Sequence, residues 1–525
     1  MIRQGAELLR EGRDVSESAD VCVIGSGCGG ASLAAWLAEQ GRSVVLVEQG
    51  GYYTKEDFDQ REVNMLAKID GGRGLHASED VSVSLTYGNN VGGASVHYWA
   101  DSYRTPPDRL LEWRDEFGIQ GHSAEALAPH FAEIERDLNV FPATDAYANK
   151  MNVLVERGAR ALGWHVERVP QARKACRASG HCMQGCSYDA KQSQLVTYVP
   201  RALAAGALLY ADLRAERFEF RGRRADTLVG RVLDRATGRP GGPVVRIQAR
   251  AFVVSAGGYG TPDLLLRQGL KDSLPALGEH LFVNPCPMAH ALFDEDIIQW
   301  RNIPAAWGIE EFRLARYQGA RRVFGRPATS AYVEGGYLFM PNQLQPAMLA
   351  AVLPGFGRKH GELMRKLSKL GGTICWIDDV EPGRMRVDSG RRRIEIPLSG
   401  GNGERLRDAW KKQAELLFAV GAKQVLFGDA EDTRIESPSQ IEAAVRQLSI
   451  RPGRNVLAAP HPGGGARMGS SARDSVVGYD HRVHGTDNLF VSDPSVFPSP
   501  PSVDPSLTIL AFSRVAAGAV AAALP

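Results

Sequence analysis

The hexapeptide Gly25-Ser26-Gly27-Cys28-Gly29-Gly30 follows directly on an apolar run at residues 21–24 and leads into a helical stretch, 31–40, that stops at Gly41. Few local patterns constrain a fold more. Glycines spaced G-x-G-x-x-G let backbone approach a pyrophosphate, and the N-terminus of the helix that follows offers amide donors and the positive end of its dipole. A second apolar strand, 43–47, ends at Glu48, where a carboxylate can bind a ribose hydroxyl. Strand, glycine turn, helix, strand and acid together predict a dinucleotide-binding βαβ unit on a parallel sheet. The pattern alone does not separate FAD from NAD.

A chain of 525 residues is too long for one simple core, so two domains, separate or interleaved, are expected. The net charge of +2 and the lack of a basic stripe exclude recognition of nucleic acid by a strong field. The first 20 residues carry charges throughout and no apolar h-region, so they are not read as a secretory signal. The apolar stretch from 507 to the end contains Arg514 and many alanines, which favours a buried amphipathic helix over a membrane span. Seven cysteines form no disulfide framework, and a reducing compartment follows. Cytoplasmic residence is the expectation, with export alongside a partner left open.

Strands are predicted at 206–220 and 244–258, with a hairpin or meander between them turning at 238–243. A helix follows at 260–270. Residues 290–440 lose the strand–glycine–helix rhythm and read as a substrate-facing domain with short strands at 384–388 and 393–397. The last 70 residues return to strand, loop and helix.

Three further segments bear on chemistry. Gly92-Gly93 with Ser95 and His97 forms a second glycine cluster that can wrap a flat ring. His461 precedes three glycines and a G-x-x-M-G turn. Near the end stands "SVDPSL", residues 502–507. With the first βαβ unit and "AFVVSAGGYGTPDLLLRQG", these segments resemble the glucose–methanol–choline (GMC) family of FAD oxidoreductases, in the family's order. The likeness extends along the chain and is weakest between about 290 and 440.

The resemblance implies an α/β fold. A Rossmann-like FAD-binding domain (15–285 and 455–525), a parallel sheet with helices and a β-meander, would be interleaved with an α+β substrate-binding domain (286–454) built on an antiparallel sheet. It implies oxidation of an alcohol to a carbonyl by hydride transfer to flavin N5, with His461 as base. A neutral imidazole, of ordinary pKa about 6.5, can take the hydroxyl proton near neutral pH. Cofactor contacts would come from Gly25, Gly27, Gly30, Glu48, Gly92, Gly93, Ser95, His97, Ala215, Asp493 and Pro505. Asp493 would lie near the ribityl chain, and His97 stands where some members attach the flavin 8α carbon covalently.

Two departures matter. Gly465 replaces a common threonine, and Asp504 replaces the usual His or Asn beside the base. An ionised Asp only accepts hydrogen bonds. It either orients His461 or binds the substrate hydroxyl, or else it turns away and caps the final helix.

Cys176, Cys182 and Cys186 form C-x5-C-x3-C. They read either as ligands of an iron–sulfur cluster, as in sugar dehydrogenases that pass electrons to a cytochrome subunit, or as a loop fixed by turns or one disulfide, as in lipophilic-alcohol and sterol oxidase relatives. Residues 337–357 read either as the lining of a channel for a lipophilic alcohol or as ordinary core. The basic stretch 357–372 reads as a membrane-touching or a solvated helix. Expected partners are a small alcohol, oxygen or another electron acceptor, and an electron-transfer subunit in the sugar dehydrogenase case. A third alternative keeps FAD as a purely structural group.

Overall fold

The computed structural model describes residues 1–318 and 331–524. Its first sheet runs in the order Ile2–Arg3, Leu208–Tyr210, Val44–Val47, Val15–Ile24, Pro240–Val254, Arg224–Leu233, Leu213–Arg221. The first five strands are parallel and the last three form an antiparallel meander. Val44–Val47 is buried at all four positions, as a strand covered on both faces must be.

Pro240–Val254 holds the sheet together. Its first part alternates between exposed and buried positions and pairs with the meander, while its last four residues are all buried. At that end it pairs in parallel with Leu489–Val491, which joins the C-terminal segment to the N-terminal one. This is the expected interleaved α/β plan.

The expected first helix, 31–40, is Cys28–Glu39. It begins inside the glycine motif because Gly27 is its N-cap. The strand expected at 206–220 breaks at Asp212, whose φ is +58°. Its buried carboxylate accepts from Gly5 N at 3.1 Å and from Arg235 Nη2 at 2.7 Å, so it anchors the first helical turn at that break. The final helix, Ser506–Ala523, is long and apolar enough to span a membrane. It lies instead on Cys28–Glu39, with Ser32 and Ser513 hydroxyls 2.8 Å apart and Arg514 buried.

The second sheet is antiparallel: Arg434–Ile435, Gln424–Phe427, Met288–Leu292, Leu370–Ile377, Tyr337–Pro341, Trp307–Ile309, Val166–Arg168. Its edge strand comes from well before residue 286, and helix Lys150–Ala161 packs on it as well. The substrate-side layer therefore draws in chain outside 286–454.

Alternation divides the sheet between two cores. Tyr337, Phe339, Cys375 and Ile377 face the cluster under helices Gly400–Ala419 and Lys150–Ala161. Leu338, Met340, Ile374 and Trp376 face a separate apolar cluster with Trp99 and Val503. The second face meets the C-terminal loops.

Candidate active site

The glycine motif is cradled by protein on one side and open on the other. A Cβ on Gly29 would stand 1.7 Å from Ser492 O, and one on Gly30 would stand 1.9 Å from Gly25 O. These two glycines are required by chain packing. A Cβ on Gly27 would meet only Gly93 Cα, at 3.8 Å. Gly93 packs directly on Gly27, so that a Cβ on Gly93 would stand 2.7 Å from Gly27 Cα, beside the N-terminus of Cys28–Glu39, where a pyrophosphate is held in such units.

Glu48 is buried and accepts from Ser26 N (3.0 Å), Ser26 Oγ (2.7 Å) and Gly50 N (2.8 Å). Burial raises its pKa, and these donors oppose that effect. Each carboxylate oxygen has two lone pairs, so capacity for a ribose hydroxyl remains. Gly92 N donates to Ser26 Oγ at 3.1 Å, so one serine ties the acid to the second glycine cluster. Ser95 serves the turn itself: its Oγ donates to Gly92 O at 2.6 Å and accepts from Gln194 N at 2.9 Å.

His97 ends that turn. Its Nε2 is buried with no partner. Burial, and next the Lys191 ammonium, push its pKa down to about 3, so the ring is neutral throughout the physiological range. Lys191 itself is buried and donates to Val96 O (2.6 Å), Tyr98 O (3.0 Å) and Cys182 O. It clamps the backbone on both sides of His97. A neutral, unpartnered ring nitrogen is the state a covalent flavin link requires.

His461 and Asp504 meet. His461 Nε2 lies 3.4 Å from Asp504 Oδ1, with the side chains 13% and 11% exposed. Asp504 does not cap the last helix: the N-cap is Pro505 and no side chain bonds there. A carboxylate beside Nε2 favours the tautomer with the proton on that nitrogen and leaves Nδ1, buried and unpartnered, with its lone pair open. The Trp376 ring lies 5.1 Å from the imidazole, centroid to centroid, and Trp99 lies 5.6 Å from Trp376. The three glycines after Pro462 are filled by protein rather than ligand. A Cβ on Gly463 would strike the Phe282 ring at 2.2 Å, and one on Gly464 would strike His280 O at 2.0 Å.

Asp493 accepts from Gly257 N (2.9 Å), Ser495 N (2.9 Å) and the Thr261 hydroxyl. It thereby fastens helix Gly257–Arg267 to the strand end at Val491. Ala215 pairs with Gly230 within the meander, half-buried, and the carbonyl of Pro505 accepts from Ile509 N at 2.9 Å.

All seven cysteines are free thiols, and no cluster of metal-ligating side chains exists among the described residues. The iron–sulfur expectation is corrected by Arg173. Its buried guanidinium donates through Nη1 to Cys182 Sγ (3.4 Å) and Cys176 Sγ (3.8 Å). A guanidinium therefore lies against two of the three thiols. Metal analysis of the purified protein is expected to find no stoichiometric iron or zinc, and Cys182→Ser is expected to keep its bound flavin. The stretch 337–357 splits between strand Tyr337–Pro341 and helix Pro346–Val352, and Leu338, Met340 and Leu349 join the cluster that contains Trp376. Basic helix Gly357–Met364 buries Leu363 and holds Lys359 3.8 Å from Asp432.

Family models for the GMC oxidoreductase N- and C-terminal domains match residues 43–286 and 382–513, together more than half of the chain. The chain is 30% identical over 501 residues to an uncharacterized GMC-type oxidoreductase of Mycobacterium tuberculosis (strain ATCC 25618 / H37Rv), covering 95% of this chain and 75% of that protein. It is 25% identical to long-chain-alcohol oxidase FAO4A of Arabidopsis thaliana, covering 93% of this chain and 66% of that one. Among solved structures it resembles pyridoxine 4-oxidase from Mesorbium loti, with a TM-score of 0.68, 17% identity, and 95% and 98% of the two chains covered.

Proposed function

We propose the following for this chain, which belongs to the GMC oxidoreductase family: it oxidises a lipophilic primary or cyclic alcohol, with His461 taking the hydroxyl proton. As a family member it is an FAD-dependent oxidoreductase acting on CH–OH donors. The residues present fit the cofactor. The glycine turn at the N-terminus of Cys28–Glu39 suits the pyrophosphate, Glu48 the ribose, and the 92–97 turn with the neutral His97 ring the flavin.

When bound, the flavin supplies a hydride acceptor at N5. The chain's own residues supply the rest. Asp504 holds His461 with Nδ1 open to accept a proton. Trp376 packs against the imidazole and restricts its movement. Removing the O–H proton as the C–H bond breaks lets a carbonyl form rather than a protonated one.

The observation that carries the substrate class is the apolar wall beside the base: the Trp376 ring packs on His461 and is backed by a packed core that includes Met288, Met340 and Leu349. Apolar surroundings favour a lipophilic alcohol over a sugar. The long-chain-alcohol oxidase relatives support this reading. The test is anaerobic mixing of the FAD-loaded enzyme with decanol, a sterol and glucose while the flavin absorbance is followed. Decanol or the sterol is expected to bleach it and glucose to leave it yellow. Bleaching by glucose alone overturns the substrate class, and no bleaching by any alcohol overturns the reaction.

A further inference from the structure

Helix Pro346–Val352, PAMLAAV, has no polar side chain. A helix apolar on every side is ordinarily buried. This one buries only Leu349, in the cluster that contains Trp376. Ala347 and Ala351, one turn apart, are exposed, and its other four residues are partly exposed. Two more apolar side chains flank it. Glu62, at the start of helix Glu62–Ile69, accepts from Ala347 N (2.7 Å) and Met348 N (2.9 Å). The next residue, Val63, therefore lies by the first turn of 346–352, and it is 70% exposed. Phe356 follows the other end. It is 90% exposed, between Gly355 (φ +80°) and Gly357 (φ +60°), whose left-handed backbone turns the chain sharply on both sides of the ring.

Beyond Phe356 the chain turns cationic. Residues 357–369 carry five basic side chains, Arg358, Lys359, Arg365, Lys366 and Lys369, against one carboxylate, Glu362. Lys359 lies 3.8 Å from Asp432, and Lys369 donates to Asp294 O at 2.7 Å. Arg358, Arg365 and Lys366 are exposed and have no ion-pair partner among the described residues. An apolar surface helix and a protruding phenyl ring beside unneutralised cations match the surface of an anionic bilayer. Apolar side chains enter the acyl boundary while the cations meet the phosphate groups above it. A protein partner matches less well. A stable protein interface takes about 20 to 30 residues a side and is poor in lysine. The apolar patch here is one seven-residue helix with two flanking side chains.

We propose that helix 346–352, with Val63, Phe356 and the cations of 358–366, docks the protein reversibly on an anionic lipid bilayer. The one inward side chain of that helix, Leu349, belongs to the cluster at Trp376. Docking therefore sets the substrate-side layer against the phase in which a lipophilic alcohol dissolves. The docking itself stands on the surface alone and does not depend on that reading of the substrate.

The test is co-sedimentation of the FAD-loaded protein with vesicles, read as the bound fraction against lipid concentration, with no turnover needed. Vesicles of phosphatidylcholine containing one quarter phosphatidylglycerol are expected to bind it, and pure phosphatidylcholine vesicles to bind it about tenfold more weakly or less. Raising the salt from about 0.1 to 0.5 M is expected to release most of the bound protein. Phe356→Ser is expected to weaken binding to the anionic vesicles about tenfold, because the aromatic ring is no longer buried in lipid. Arg358→Gln combined with Lys366→Gln is expected to weaken it by about tenfold or more. Leu111→Ser, which removes an exposed leucine from helix Pro107–Phe117, is expected to change nothing. All of these positions are exposed, so the variants are expected to melt with the parent.

Absence of binding to the anionic vesicles overturns the proposal. So does binding that Phe356→Ser and the double variant leave unchanged, which would put the lipid contact elsewhere on the chain. A dimer in analytical ultracentrifugation that Phe356→Ser dissociates would give this face to a second copy of the chain, and overturns the proposal as well. Bleaching by glucose alone, with vesicle binding intact, would sink the substrate class and leave the docking standing, so the two failures are distinct.

Discussion

His461→Ala is expected to slow anaerobic flavin reduction by decanol by about 10²- to 10⁴-fold, the usual contribution of a positioned general base. The argument is geometric. Nδ1 is the one basic nitrogen in this part of the site that is buried, unpartnered and set by a carboxylate on the other side of its ring. Removing the ring takes away the proton acceptor but leaves the glycine cradle, Glu48 and the 92–97 turn, which are held by hydrogen bonds that do not involve His461. Flavin content and visible spectrum are therefore expected to match the parent, and a thermal melt to shift only by what the lost contact with Trp376 costs, about 1 kcal/mol. Added imidazole is expected to restore part of the rate. Asp504→Asn is expected to have a smaller effect, about tenfold, because an amide can still orient the ring but no longer opposes the charge it gains. A His461→Ala enzyme that bleaches within about threefold of the parent would remove the base from the mechanism.

What the sequence made legible was local. The βαβ unit was readable because its glycines, apolar runs and acid lie within 28 consecutive residues, each constrained by its neighbours. His461 was readable because the surrounding G-x-x-M-G turn is itself a short pattern. What remained hidden depends on distant pairing. Trp376 faces His461 only because Leu370–Ile377 alternates between two cores, and nothing in "TICWIDD" says which core is which. Val166–Arg168 is three half-polar residues, too short for any period to show, yet it ends the second sheet.

The cysteine triplet misled for a similar reason. Spacing of thiols suggests a metal, and the cation that actually lies against two of them is Arg173, one of many arginines with no local mark. Gly463 and Gly464 carry no local mark of their purpose either. Their missing side chains make room for Phe282 and His280, atoms almost two hundred residues away in sequence.

The glycine motif separates two demands that sequence alone merges, and a pair of substitutions tests them apart. Gly30→Ala is expected to destabilise the protein by more than about 3 kcal/mol and to give largely insoluble material, because its Cβ would lie 1.9 Å from Gly25 O and backbone on both sides has nowhere to move. Gly27→Ala is expected to change stability by no more than about 1 kcal/mol. Its φ of −73° suits any residue, its new Cβ finds Gly93 at an ordinary 3.8 Å, and alanine is only a somewhat poorer N-cap. That methyl does, however, stand on the open side of the turn, at the N-terminus of Cys28–Glu39 where the pyrophosphate is expected to lie. Gly27→Ala is therefore expected to purify folded and nearly colourless, with the parent's far-ultraviolet circular dichroism, while the parent is yellow. A folded Gly27→Ala protein carrying a full complement of flavin would mean that the dinucleotide does not lie against Gly27, and the cofactor would have to be sought on another edge of the sheet.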